Sequence, residues 1–325
     1  MNIFITGGCG YKGTVLVPKL LKKGFKITVV DLQWFGNHLP SHKNLKIIKQ
    51  DIRNLTNLSL KGFDAVIHLA SIANDPCGDL DPIMTWEISA LSTMQLADKA
   101  YREGVKQFIY ASSASVYGIK KEEQVVEDMD LHPLTVYNSS KMVAERALLS
   151  YSKKMCCQII RPATVCGFSP RMRLDVVVNL LTAQAITKGK ITVLGGNQDR
   201  PNIHIDDITD LYCFLIDNPK IEGVFNAGGE NLSVKKIAEI VGARTNAKIT
   251  YKTSNDSRSY RLNSDKLSAI GFTPKKSVED SINEVISAFE KGLIEDESIN
   301  YNVEWMRHYV LAPISSRGYQ EAPGS

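Results

Sequence analysis

The sequence predicts an α/β fold: a Rossmann-type doubly wound parallel sheet with a smaller C-terminal substrate-binding lobe. Three observations predict it. Short apolar, β-rich runs alternate with helical patterns from the start of the chain to about residue 165, the order of βαβ units. A glycine-rich turn, Gly7-Gly8-Cys9-Gly10-Tyr11-Lys12-Gly13, joins the first of these runs to the first helical pattern. An acidic residue, Asp31, closes the second run about 20 residues downstream.

The strands are expected at Ile3 to Thr6, Ile27 to Asp31, Leu45 to Ile48, Ala65 to Leu69, Phe108 to Ser112 and Cys157 to Arg161, each apolar enough for burial on both faces. Between them, Asp81 to Glu103 carries Met84, Ile88, Leu91, Met94 and Ala97 or Ala100 at roughly helical spacing. After Arg161-Pro162 the rhythm changes to a loop over Cys166 to Arg173, a helix near Val176 to Thr187, and short elements punctuated by Gly, Asn and Pro. Gly223 to Asn226 reads as one more buried strand that returns to the sheet. The expected organisation is therefore a dinucleotide-binding domain over 1–165, rejoined by about 200–227, and a lobe made mainly of 166–311. A mobile, aperiodic tail follows over 312–325.

Bulk properties exclude several classes. The 39 Lys and Arg against 35 Asp and Glu give a net charge of +4, and the lysines are scattered instead of forming a basic block, so no nucleic-acid partner is expected. No run of about 18 apolar residues is present, so no membrane partner is expected either. The chain runs straight into a strand-like segment at Asn2 rather than a basic and then apolar leader, which predicts a cytoplasmic protein. Six cysteines lack Cys-x-x-Cys spacing and six histidines form no His-x-His or His-Glu-x-x-His pair, so reduced thiols and no metal are expected.

Glycines at 7, 10 and 13 allow a tight turn, a close backbone approach to a diphosphate, and close helix-on-strand packing, while the exposed amides and the helix dipole favour the anion. Asp31 is placed to accept hydrogen bonds from the adenosine ribose hydroxyls, and its charge repels a 2′-phosphate, so NAD is favoured over NADP. A plain strand-end turn is the other reading of Asp31.

Tyr137 and Lys141 stand four apart at the start of an amphipathic helix and so share one face. A phenol with a pKa of about 10 is a poor base at neutral pH, but a neighbouring ammonium and an oxidised nicotinamide favour its phenolate. The spacing alone proves little, because Tyr117 and Lys121 repeat it in a glycine-containing, loop-like stretch. Helix context favours Tyr137. So does Ser113, which follows the strand ending at Ser112, where ligands bind in a doubly wound sheet.

Together with His68-Leu69-Ala70, Ser112-Ser113-Ala114-Ser115-Val116-Tyr117-Gly118, Tyr137-Asn138-Ser139-Ser140-Lys141 and Arg200-Pro201-Asn202-Ile203-His204-Ile205-Asp206-Asp207, these motifs make the chain resemble the nucleotide-sugar epimerase/dehydratase family of extended short-chain dehydrogenases over about residues 1–310. The resemblance implies a catalytic set of Ser113, Tyr137 and Lys141. It implies a cofactor site from Gly7, Gly10, Tyr11, Lys12, Gly13, Asp31, Asp51, Ile52, Leu69, Ala70 and Ser71, with Tyr137 and Lys141 also contacting NAD. For a nucleotide-diphosphate sugar it implies contacts from Thr164, Arg171, Arg173 and Asn179, with a diphosphate clamp from Arg200 and Arg258, and it implies a homodimer.

Three departures from the family pattern shape the expected chemistry. Ala114-Ser115 stand where dehydratases carry an acidic pair, which removes the acid and base for eliminating water. Ala114 also replaces the cysteine of epimerase-reductases, and Ser89 and Thr164 replace asparagines common in the family. What remains is oxidation at C4 of the sugar, as a dehydrogenase/reductase or a 4-epimerase. The unusual Ser169 to Asp175 segment points to a less common sugar such as a heptose. A non-catalytic dinucleotide sensor is the rival from another class, and it would be expected to lack one of the three catalytic residues. A sterol-type dehydrogenase would not need Arg200 and Arg258.

Overall fold

The computed structural model describes residues 1–253 and 259–311. Its strands are β1 (Asn2–Thr6), β2 (Lys26–Asp31), β3 (Leu45–Lys49), β4 (Ala65–His68), β5 (Gln107–Ala111), β6 (Cys156–Pro162), β7 (Thr164–Cys166), β8 (Lys190–Leu194), β9 (Asp199–His204), β10 (Gly223–Ala227), β11 (Glu230–Ser233) and β12 (Lys248–Lys252). The helices are α1 (Gly13–Lys22), α2 (Asp75–Gly78), α3 (Pro82–Trp86), α4 (Ser92–Arg102), α5 (Val136–Leu149), α6 (Val177–Lys188), α7 (Ile205–Asp217), α8 (Val234–Thr245), α9 (Asp265–Ala269), α10 (Val278–Glu290) and α11 (Asn302–Trp305).

Seven strands form one parallel sheet in the order β10-β6-β5-β4-β1-β2-β3. The strand order reverses beside β1, between β2 on one side and β4 on the other, so a crevice opens at the carboxyl ends of β1 and β4. β10 pairs in parallel with β6, Phe225 opposite Ile160, and thus returns from the second half of the chain as its sequence predicts. Every nominated strand of the large sheet falls within one residue of the observed one at each end. Buried apolar runs leave a strand little choice of environment, because each must be covered on both faces.

Two cores cover those faces. Ile3, Ile5, Leu16, Leu20 and Leu215 lie on the side of α1 and α7, and Phe4, Val66, Leu96, Phe108 and Leu148 on the side of α4 and α5. The smaller lobe has its own core, where Val178, Leu181, Ile191, Ile237, Val241 and Ile282 join α6, α8 and α10 to the short β8-β12 pair. The described chain ends with α11 and a last turn through Val310, in which Met306 is buried against the large domain.

One helical prediction needs correction. Leu91 and Met94 are 49% and 42% exposed, although the apolar spacing places them on the buried stripe. The turn Glu87–Leu91, between α3 and α4, widens to a π bulge and rotates the face beyond it. Ser89, Ser92 and Thr93 point inward instead, with Thr93 donating to the Ser89 carbonyl at 2.9 Å. Among the described residues no helix is long and apolar enough to cross a membrane.

Candidate active site

The crevice is a cleft of about 370 Å³ bounded by the glycine turn, the ends of β2, β4, β5 and β6, the start of α5 and the 171–176 segment. At its head, Gly7 (φ +70°) donates to the Val30 carbonyl at 2.9 Å and lets the chain reverse. A Cβ there would lie 2.5 Å from the Ala70 nitrogen, and one at Gly13 would lie 2.2 Å from the Gly8 carbonyl oxygen. Both positions therefore require glycine, and they leave a backbone cradle at the N-terminus of α1 that suits a diphosphate.

Asp31 ends β2 with Oδ2 accepting from the Cys9 amide at 2.9 Å and Oδ1 from the Gln33 amide at 2.7 Å. Burial raises its pKa above the usual carboxylate value, while the two amides oppose that. Each oxygen keeps capacity for a further hydrogen bond from the cleft. Leu69, Ala70 and Ser71 run along the opposite wall, with Ser71 and Ser89 sharing a 2.9 Å hydroxyl contact. Beneath them His68 is fully buried between the Thr6 hydroxyl at 2.5 Å and the Thr93 hydroxyl at 2.8 Å.

Tyr137 and Lys141 enter from the first turns of α5, which is capped by Thr135 accepting from the Asn138 amide at 3.2 Å. The Lys141 ammonium donates to the Ala111 carbonyl at 2.7 Å and lies 5.9 Å from the Tyr137 ring centroid. Burial holds Lys141 well below its usual pKa, and the charge on Lys12 acts in the same direction. Burial pushes the Tyr137 phenol up to about 12, with Ser113 opposing. That direction is opposite to the depression the sequence predicts, because desolvation outweighs the neighbouring cations of the protein itself. The positive nicotinamide in the same argument is the charge that would favour the phenolate.

Ser113, at the end of β5, has its hydroxyl 2.7 Å from that of Ser115, which in turn donates to the Asn138 side chain. The glycine-flanked repeat of the Tyr/Lys spacing is structural. Tyr117 is fully buried, donates to the Asn226 side chain at 2.7 Å, accepts from Arg161 at 2.7 Å, and does not line the cleft.

The structure gathers Gly7, Gly10, Tyr11, Lys12, Gly13, Asp31, Ile52, Leu69, Ala70, Ser71, Ser113, Tyr137, Lys141, Thr164, Arg171 and Arg173 around this one cleft. It does not bring in the rest. Asp51 turns to Arg53 in an ion pair at 2.7 Å, and Gln50 lines the cleft beside Ile52 instead. Asn179 is fully buried beneath the cleft, where it donates to the Tyr11 hydroxyl at 3.1 Å and the Arg173 carbonyl at 2.8 Å. It is not among the cleft residues. Arg200 donates to the Asp199 carbonyl at 3.1 Å and is not among the cleft residues, and Arg258 lies outside the described residues.

Sequence reasoning missed Phe35, Asn74, Asp75, Ser115, Tyr260 and Asn302, all of which line the cleft. Of these only Phe35 carried a signal, an aromatic four residues beyond Asp31. Among the described residues the six cysteines are free, and His204, Asp206 and Glu284 come close enough to share an ion. Lys276 already bridges both carboxylates, at 2.6 Å each, so that cluster is an ion-pair network.

The NAD-dependent epimerase/dehydratase family model matches residues 3–228. The protein y4nG of Sinorhizobium fredii is 28% identical over 244 residues, which are 73% of this chain, and the chain spans only 59% of that relative's length. UDP-glucuronic acid decarboxylase 1 of Danio rerio is 27% identical over 319 residues, covering 92% of this chain and 75% of the relative. The solved structure of MoeE5 in complex with UDP-glucose and NAD superposes with a TM-score of 0.80 at 26% identity, covering 90% of this chain and all of that one.

Proposed function

This chain belongs to the NAD-dependent epimerase/dehydratase family, and on that premise we propose that it oxidises C4 of a nucleotide-diphosphate sugar, as a 4-epimerase or as a C4 dehydrogenase/reductase. The family's cofactor is NAD, and the backbone cradle of Gly7 and Gly13 with Asp31 at the end of β2 fits it. The single observation that carries the reading is the convergence of Ser113, Tyr137 and Lys141 on the cleft that the glycine turn heads.

NAD bound there supplies a hydride acceptor, and the protein supplies the proton chemistry. Tyr137 as phenolate takes the proton of the sugar hydroxyl. Lys141, fixed by the Ala111 carbonyl, places its positive charge beside the tyrosine and is in reach of the nicotinamide ribose. Ser113, held by the Ser115 and Asn138 hydrogen bonds, orients the reacting oxygen. With Ala114 and Ser115 after it, no acid-base pair is present there to expel water from C5 and C6, so dehydration is not part of the proposal. The 169–175 segment shapes the pocket for a less common sugar, a heptose being one candidate. The exposed Ile83, Leu91 and Met94 form an apolar face suited to a homodimer.

The test incubates the protein with a panel of nucleotide sugars and follows NADH and product identity together. An epimer without net NADH selects epimerisation, and net NADH selects oxidation. Tyr137→Phe is expected to lose about a hundredfold or more in kcat while folding normally. Near-normal turnover by that variant would remove Tyr137 from the mechanism.

A further inference from the structure

Arg171 leaves the second lobe and ends in the cleft, near enough to Asp31 for its charge to act on that carboxylate. Its guanidinium carbon lies 3.8 Å from the ring centroid of Phe35, four residues beyond Asp31. The residue is 3% exposed. Nη1 donates to the Met172 carbonyl at 3.1 Å and Nη2 to the Asn302 side chain, but Nε is buried without a partner. No described carboxylate forms an ion pair with it, although the charges of Asp175 and Asp31 act on it across the cleft. The nearby Asp175 is occupied by Arg173, which it accepts at 2.9 and 3.2 Å. Burial pushes Arg171 down to about 9, and Arg173 pushes in the same direction.

Lys12, inside the glycine turn, is a second cation there, half-buried rather than buried. It lines the cleft, and no described residue accepts a hydrogen bond from its ammonium or pairs with it. Burial lowers it to about 8, with Arg173 again adding to the effect. A desolvated cation without an ion-pair partner is costly, and two in one cleft call for an anion. The anion must lie along the glycine turn, where the amides and the N-terminus of α1 already favour negative charge, and within reach of a side chain that packs on Phe35 near Asp31. The ligand chemistry that meets both conditions is a diphosphate ester running from an adenosine ribose at Asp31 towards Lys141.

We propose that Arg171 and Lys12 clamp the diphosphate of the cofactor, with Asn302 as the positioning residue that holds the Arg171 fork in place. This moves Arg171 from the sugar, where its sequence neighbourhood puts it, to the dinucleotide. It also makes the C-terminal segment part of the cofactor site. The Asn302 amide donates to Asp175 at 3.2 Å, the Leu174 amide to the Asn300 carbonyl at 2.8 Å, and the Trp305 indole to the Trp34 carbonyl at 2.6 Å. The segment thereby ties the second lobe to the loop after β2 across the dinucleotide end of the cleft.

The experiment measures binding of ADP-ribose, adenosine and UDP to the cofactor-free full chain and to Arg171→Met, Arg171→Lys and Lys12→Met, with melting curves in each case. ADP-ribose affinity is expected to fall about ten- to hundredfold in Arg171→Met and Lys12→Met, with partial recovery in Arg171→Lys, because each methionine removes a charge-assisted contact to phosphate. Adenosine binding is expected to stay the same in all of them. The salt dependence of ADP-ribose binding should flatten, and the ligand-free variants should melt no lower than the parent, since each loses a desolvated cation that has no ion-pair partner. ADP-ribose affinity unchanged in both methionine variants would overturn the proposal, and so would a drop in UDP affinity with ADP-ribose unaffected, which would return Arg171 to the substrate. A lower ligand-free melting point with an intact ADP-ribose shift would make Arg171 a structural brace, which also overturns it. None of these readouts requires turnover, so failure of the proposed reaction and failure of the clamp are distinguishable.

Discussion

Replacing Arg161 with methionine tests how α5, the helix of the proposed catalytic pair, is held to the sheet. Arg161 leaves β6 and meets Glu145 of α5 in a pair whose side chains are 6% and 1% exposed. Nη2 reaches Oε2 at 2.7 Å and Nε reaches Oε1 at 3.0 Å, while Nη1 donates to the Tyr117 hydroxyl at 2.7 Å and the Glu127 carbonyl at 3.1 Å. Glu145 also accepts from Ser112. It stands one helical turn beyond Lys141 and on the same face, so whatever holds Glu145 also holds the proposed catalytic pair. Arg161→Met leaves a buried carboxylate with one hydroxyl donor, and removing one partner of such a pair costs about 3 to 5 kcal/mol. The double variant Arg161→Met/Glu145→Met removes both charges and is expected to recover most of that loss, because the desolvation penalty disappears with them. Urea denaturation of the parent, the single and the double variants measures both quantities. A single variant within about 1 kcal/mol of the parent, or a double variant no better than the single, would refute the argument that the pair is desolvated and mutually dependent.

Three further predictions follow from local geometry. Gly13→Ala forces a Cβ against the Gly8 carbonyl oxygen, and backbone on both sides cannot yield cheaply, so NAD affinity should fall at least about tenfold with a stability loss of roughly 1 to 3 kcal/mol; titration with NAD and a melting curve check it, and normal affinity would refute it. Burial lowers the His68 pKa to about 3, so the folded protein keeps the ring neutral while the unfolded chain protonates near 6.5. Its contribution is therefore present above about pH 6.5 and is lost as pH falls towards 3, at about 2 kcal/mol between pH 6.5 and 5; urea midpoints over that range should fall more steeply in the parent than in His68→Gln, and equal slopes would refute it. Leu91→Glu with Met94→Glu should turn a dimer into a folded monomer in sedimentation, and a parent that already sediments as a monomer would end the dimer proposal.

The sequence by itself determined the sheet and the head of the cofactor cleft. Strands such as Ile3 to Thr6 and Ala65 to Leu69 are legible because apolar β-branched runs buried on both faces have no other stable place. Gly7 and Gly13 are legible because only a residue without a Cβ fits there, and the spacing of a local turn is written in consecutive residues. Tertiary structure decided the matters that depend on residues far apart in the chain. Arg171 meets Asn302 across 131 positions, and Tyr117 meets Asn226 across 109, so neither the turn of Arg171 onto Phe35 nor the structural use of Tyr117 has a local signature. Asn179 reads as a pocket amide until its three-dimensional partners, Tyr11 and Arg173, are seen to occupy it. The π bulge at Glu87–Leu91 likewise moved Leu91 and Met94 outward, since one widened turn shifts a helical stripe that periodicity assumes to be continuous. Opening next to β1 the strand pattern could place; which cations face which end of that cleft was fixed only when the second lobe and the C-terminal segment packed against it.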